Sequence, residues 1–190
     1  MNTGLIIALV ILGVVVIAAL WAIAAYNRLV ALREAVRTGW AQIDVLLKRR
    51  YDLIPNLVES VKGYASHEKE TLDRVITARN AASSVKPGNT AGAIAADNQL
   101  TGTLRQLFAV AEAYPDLKAN QNFLQLQNEL SNTENQVAGV RGSYNQTVQQ
   151  YNTSIMSFPT NFIAGPFGFS TQPFFEVQDA GQRETPKVKF

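Results

Sequence analysis

The chain has 190 residues, a formal net charge of +2, one histidine and no cysteine. That length suits one domain plus an anchor, and the missing cysteine excludes disulfides, thiolate metal sites, a cysteine nucleophile and lipid attachment through an N-terminal cysteine. The weak positive charge comes without a basic stripe or a readable motif, which points away from nucleic acid.

Residues 1–3 form a short N-terminus, and residues 4–25 contain no charged and no strongly polar side chain. As a helix this run spans roughly 33 Å, enough to cross a hydrocarbon core of about 30 Å. Trp21 and Tyr26 stand near its C-terminal end, where amphipathic rings favour the headgroup level, and Arg28 can snorkel there. A cleaved signal peptide is the rival reading, since Ala22-Ile23-Ala24 resembles a cleavage site. Against it, no Lys or Arg precedes the run, and the run is longer than a usual signal core. Arg28, Arg33, Arg37, Lys48, Arg49 and Arg50 all follow the span, so the positive-inside rule puts the N-terminus outside and the rest in the cytoplasm. Gly13 and the Ala18/Ala22 pair could let two such helices approach, although no GxxxG is present.

From Leu29 onward the apolar residues recur with a helical period. Leu29, Leu32, Val36, Trp40, Ile43, Leu47, Ile54, Leu57 and Val61 form one stripe, with no turn between it and the span. Pro55 predicts a bend near Leu53-Ile54 or a short break. Gly63 ends this helix, and Ser66 can cap a second over about 67–84. Lys86-Pro87-Gly88-Asn89 is a turn, after which Asn89 or Thr90 caps a third helix over about 91–113. Tyr114-Pro115-Asp116 stops that helix. The fourth has a heptad seam of Phe123, Leu126, Leu130, Thr133, Val137, Val140, Tyr144, Tyr151, Ile155 and Phe158. Its outer face is rich in Asn, Gln, Ser and Thr and poor in charge. Such a face is either a solvated surface or a contact with another subunit, where amides are cheaper to desolvate than ions.

The reading is all-α: a single N-terminal transmembrane helix (4–25) continues into an antiparallel up-down helical bundle (26–158). The path brings the end of the fourth helix back toward the bilayer. A Phe/Pro/Gly-rich irregular tail (159–177) follows, and residues 178–190 are polar and expected to be disordered. The phenylalanines of the tail need cover, worth roughly 1.5–3 kcal/mol each. They find it either in grooves of the bundle or in the membrane interface.

No catalytic constellation emerges from the motifs. His67 stands alone at the predicted start of the second helix; HExxH, GxSxG and GxxxxGK[ST] are all absent. No cofactor and no metal are therefore expected. Arg49-Arg50-Tyr51-Asp52 is either a functional charge cluster or a solvated helix face with local ion pairs. Candidate interaction residues are Arg49, Arg50, Tyr51, Asp52, Pro55 and Asn56 on the first helix, and Phe162, Phe167 and Phe169 in the tail.

The span followed by Tyr26-Asn27-Arg28-Leu29-Val30, Trp40-Ala41-Gln42-Ile43-Asp44-Val45 and Arg50-Tyr51-Asp52-Leu53-Ile54-Pro55-Asn56-Leu57 resembles the LemA family of bacterial membrane proteins. Val61-Lys62-Gly63-Tyr64-Ala65, Ala78-Arg79, Tyr151-Asn152 and Phe158-Pro159-Thr160-Asn161-Phe162-Ile163-Ala164 extend the likeness along most of the chain. The resemblance implies a helical bundle on one membrane span, a Pro55 that belongs to the motif, and no established reaction. It also implies a link to membrane organisation, including that of magnetosomes, and a partnership with membrane metalloproteases.

The expected function is thus a non-enzymatic, membrane-anchored scaffold in the bacterial inner membrane, with the lipid bilayer and copies of itself as partners. The alternative is an adaptor or regulator of a membrane enzyme such as a metalloprotease.

Overall fold

The computed structural model describes residues 3–176, and the expectation for 178–190 falls outside them. Those residues hold six helices and no strand: α1 (Thr3–Lys62), α2 (Lys69–Ser83), α3 (Thr90–Ala111), α4 (Pro115–Lys118), α5 (Gln121–Met156) and α6 (Asn161–Ala164). The first part of α1 is long and apolar enough to cross a membrane.

Three features differ from the sequence expectation. α1 passes through Pro55 without a break. The fourth helix divides, because Pro115 starts the one-turn α4 and α5 begins anew behind Asn120. There the Asn120 Oδ1 accepts the Phe123 amide at 3.0 Å, satisfying one of the donors that a helix start leaves open. α2 also starts later than expected, after a turn in which Ala65 N–H bonds Val61 O and Glu68 N–H bonds Ala65 O. α3 opens as read: the Asn89 side chain accepts the Gly92 amide at 3.0 Å.

The chain forms two compact units, and α1 and α5 each supply residues to both. Of the described residues, the first holds 3–41 and 142–174. Its buried residues on α5 are Tyr144, Val148, Tyr151, Asn152 and Ile155, and on α1 Leu29 and Val36. Gly39 faces the Tyr144 ring, and Trp40 stands 5.7 Å from that ring, centroid to centroid. The tail then returns along α5. Asn152 donates to Gln172 O at 2.9 Å and accepts the Gln172 amide at 2.8 Å, while the Tyr144 hydroxyl donates to Pro173 O at 3.1 Å. Burial pushes the Tyr144 phenol up to about 12. Gly168, at φ +70°, supplies the left-handed turn that begins this return.

Of the described residues, the second unit holds 42–141 and 175–176. α2 and α3 pack together through Leu72, Val75 and Ala78 on one side and Leu100, Leu104 and Leu107 on the other. Ile43, Leu47, Ile54, Leu57, Val58 and Val61 of α1 are buried in the same unit, as are Phe123, Leu130 and Val137 of α5. Phe108 and Phe123 meet edge to face at 6.4 Å.

Candidate functional site

Proline has no amide hydrogen, so Pro55 leaves the carbonyl of Tyr51, four residues earlier, without its helical donor. A second helix supplies the donor. Arg79 of α2 reaches that oxygen through Nε at 3.2 Å, and its Nη2 lies 3.9 Å from Asp52. Two motif stretches, Arg50–Leu57 and Ala78-Arg79, are thereby one device. The defect in α1 becomes the docking point for α2.

One residue before Tyr51, Arg50 occupies a core position: with Tyr51 it fills the stripe between Leu47 and Ile54. Its side chain is only 4% exposed and pairs with Asp97 of α3, itself 6% exposed, at 3.1 Å. Glu134 of α5 lies 3.9 Å from the other terminal nitrogen and is half exposed. The Nε of Arg50 is buried and meets no hydrogen-bond acceptor. Burial raises the Asp97 carboxyl above its ordinary range, against the pull of Arg50. Burial likewise raises the Tyr51 phenol, with Asp97 adding to the effect. A cavity of about 240 Å³ opens beside the pair, with Arg105, Ser131, Glu134 and Arg141 in its wall. The Arg50 guanidinium does not give up its proton near neutral pH, so it is a fixed positive charge between the helices.

The expected charge cluster is thus divided. Arg50 and Tyr51 are neither solvated nor locally paired, while Arg49, Asp52, Pro55 and Asn56 are exposed. Arg49 bridges to Glu129 of α5 at 2.9 Å. The sequence reading passed over Asp97, although it sits three residues before Leu100 and three after Ile94 on the buried face of α3. A charged residue in register with an apolar stripe was the available signal.

The tail phenylalanines divide in the same way. Phe169 is buried, with the Arg33 guanidinium 4.9 Å above its ring and Tyr26 edge-on at 5.7 Å. Phe167 touches Tyr26 at 5.1 Å yet remains largely exposed, and Phe162 is 70% exposed beside an equally bare Phe158. His67 is exposed in the turn before α2. Among the described residues no cluster of His, Asp or Glu side chains converges as metal ligands would.

The model of the LemA family matches residues 39–190, which include the Arg50, Pro55, Arg79, Asp97 and Asn152 positions. A curated relative, Protein LemA of Metamycoplasma hominis, is 27% identical over 119 residues, covering 63% of this chain and 54% of the relative. The chain therefore spans about half the length of the curated relative it matches.

Proposed function

The chain belongs to the LemA family, and from that premise we propose that it is a non-enzymatic, membrane-anchored scaffold that associates with copies of itself at the bacterial inner membrane. The observation that carries this reading is the bare apolar surface of α1. Residues 3–20 are exposed around the whole helix, with Ile17 at 68%. Each Val, Leu or Ile there would gain roughly 1.5–3 kcal/mol on leaving water, and no element among the described residues covers them. Lipid is the solvent that fits. The basic residues beyond Tyr26 support an orientation in which residues 26–158, read as an antiparallel up-down bundle, lie on the cytoplasmic side and the N-terminus outside.

Self-association is supported by the exposed amides of α5. Gln125, Asn128, Asn132 and Gln136 share one helical face and all lie open. Neutral amides lose less than ions when a second subunit covers them, and they can bond reciprocally across a symmetric contact. Native mass spectrometry of the detergent-solubilised chain tests this. A defined homo-oligomer is expected, and Asn128→Glu with Asn132→Glu should convert it to monomer by placing like charges at the contact. A wild-type monomer that copurifies stoichiometrically with a membrane protease would replace the scaffold by the adaptor reading.

A further inference from the structure

We propose that the cavity where α1 leaves its apolar run seats the phosphate of a phospholipid headgroup. This rests on the membrane reading above and adds a binding site to it. The cavity measures about 440 Å³, and its wall includes Trp21 and Arg28 of α1, Thr153 and Ser157 at the end of α5, and Phe158 and Thr160 beyond it. All of these residues belong to one compact unit.

Depth is the first argument. Arg28 lies three residues past Ala25, roughly 4.5 Å along the helix axis. The headgroup layer occupies about 5–7 Å on each side of the hydrocarbon core, so a guanidinium at that height stands at phosphate level. Charge is the second. Arg28 pairs with no carboxylate among the described residues, whereas Arg37 has Glu34 and Arg49 has Glu129. A guanidinium presents a planar fork that matches a phosphate in two hydrogen bonds.

The hydroxyls divide unequally. Ser157 donates to Thr153 O at 2.7 Å, and the neighbouring Ser154 donates to Gln150 O at 2.8 Å, so their hydrogens are used within α5. Thr153 and Thr160 donate to no group among the described residues and remain for a ligand. The carboxyl end of α5 opposes an anion with about half a negative charge. The full positive charge of Arg28 outweighs it. Apolar cover decides between a lipid and a free phosphate. Trp21 forms one wall, and Phe158, 79% exposed, forms another, edge-on to the bare Phe162 ring at 5.8 Å. Met156 is also exposed. Inorganic phosphate has nothing to offer these groups; the glycerol and upper acyl carbons of a lipid do.

The test uses the full chain in detergent, titrated with phosphatidylglycerol or with diacylglycerol carrying the same acyl chains and read by native mass spectrometry. The wild type should retain phosphatidylglycerol over diacylglycerol, and Arg28→Gln should lower that retention about tenfold, leaving diacylglycerol unchanged. Thr153→Val with Thr160→Val should give a smaller loss. Equal retention of phosphatidylglycerol by Arg28→Gln, or equal retention of the two lipids by the wild type, would overturn the site. So would displacement of the lipid by millimolar inorganic phosphate, which would make it a free-anion site. Flotation with vesicles separates the two readings: Arg28→Gln should still float, and a wild type that fails to float removes the membrane reading itself.

Discussion

Pro55 shows how a residue that ordinarily damages a helix is kept in the middle of one. Its missing amide frees the Tyr51 carbonyl, and Arg79 answers with a charge-assisted hydrogen bond across to α2. Such bonds contribute about 1.5–3 kcal/mol, comparable with the roughly 3 kcal/mol a mid-helix proline costs. Arg79→Met should therefore destabilise the chain by about 1.5–3 kcal/mol in chemical denaturation. With Pro55→Ala in place, residue 55 can donate to Tyr51 O, and the same Arg79→Met change should cost much less. An unchanged cost in the alanine background would disconnect the two residues. The proline was visible in the sequence as an interruption, and a bend or break was the reasonable local reading. The helix continues, and the carbonyl it leaves open takes its donor from another helix, which no local pattern announces.

Between helices, the Arg50–Asp97 pair ties α1 to α3, and Glu134 brings in α5. A buried ion pair gains little over well-packed apolar residues, yet removing one partner strands the other charge. Arg50→Met should thus lower stability by about 3–5 kcal/mol. Arg50→Met with Asp97→Leu should recover most of that loss, as a double-mutant cycle in denaturant would record. Failure of the pair to recover would mean that packing of the Arg50 stem, rather than its charge, matters here. The helical stripes were readable because 3.6-residue periodicity is local. Reading them from apolar residues alone skipped Arg50 and Asp97, the two positions where the core is ionic. On α5 the seven-residue step between Tyr144 and Tyr151 conceals Val148, which is fully buried. The Tyr151-Asn152 motif resolves into a different device: Asn152 offers the tail backbone a donor and an acceptor at once.

For the whole chain, the side of the membrane is the property with the widest consequences. On the proposed orientation, which rests on the flanking arginines, α2 lies in the cytoplasm, and the sequence has no cysteine to confuse a label. Ser84 caps the C-terminal end of α2 and is exposed. Ser84→Cys should resist a membrane-impermeant maleimide in intact spheroplasts and react fully after lysis; labelling before lysis would reverse the orientation. Composition and spacing sufficed for the apolar span, the helical class, the turn at Gly88 and the cap at Asn89, because each depends on neighbours within a few residues. Distant partners settled the rest: the donor to Tyr51 O, the counter-charge of Arg50, and the burial of Phe169 while Phe158 stays bare. Whether a charge or an aromatic ring can leave water depends on what meets it there, and in a folded chain that group comes from far along the sequence.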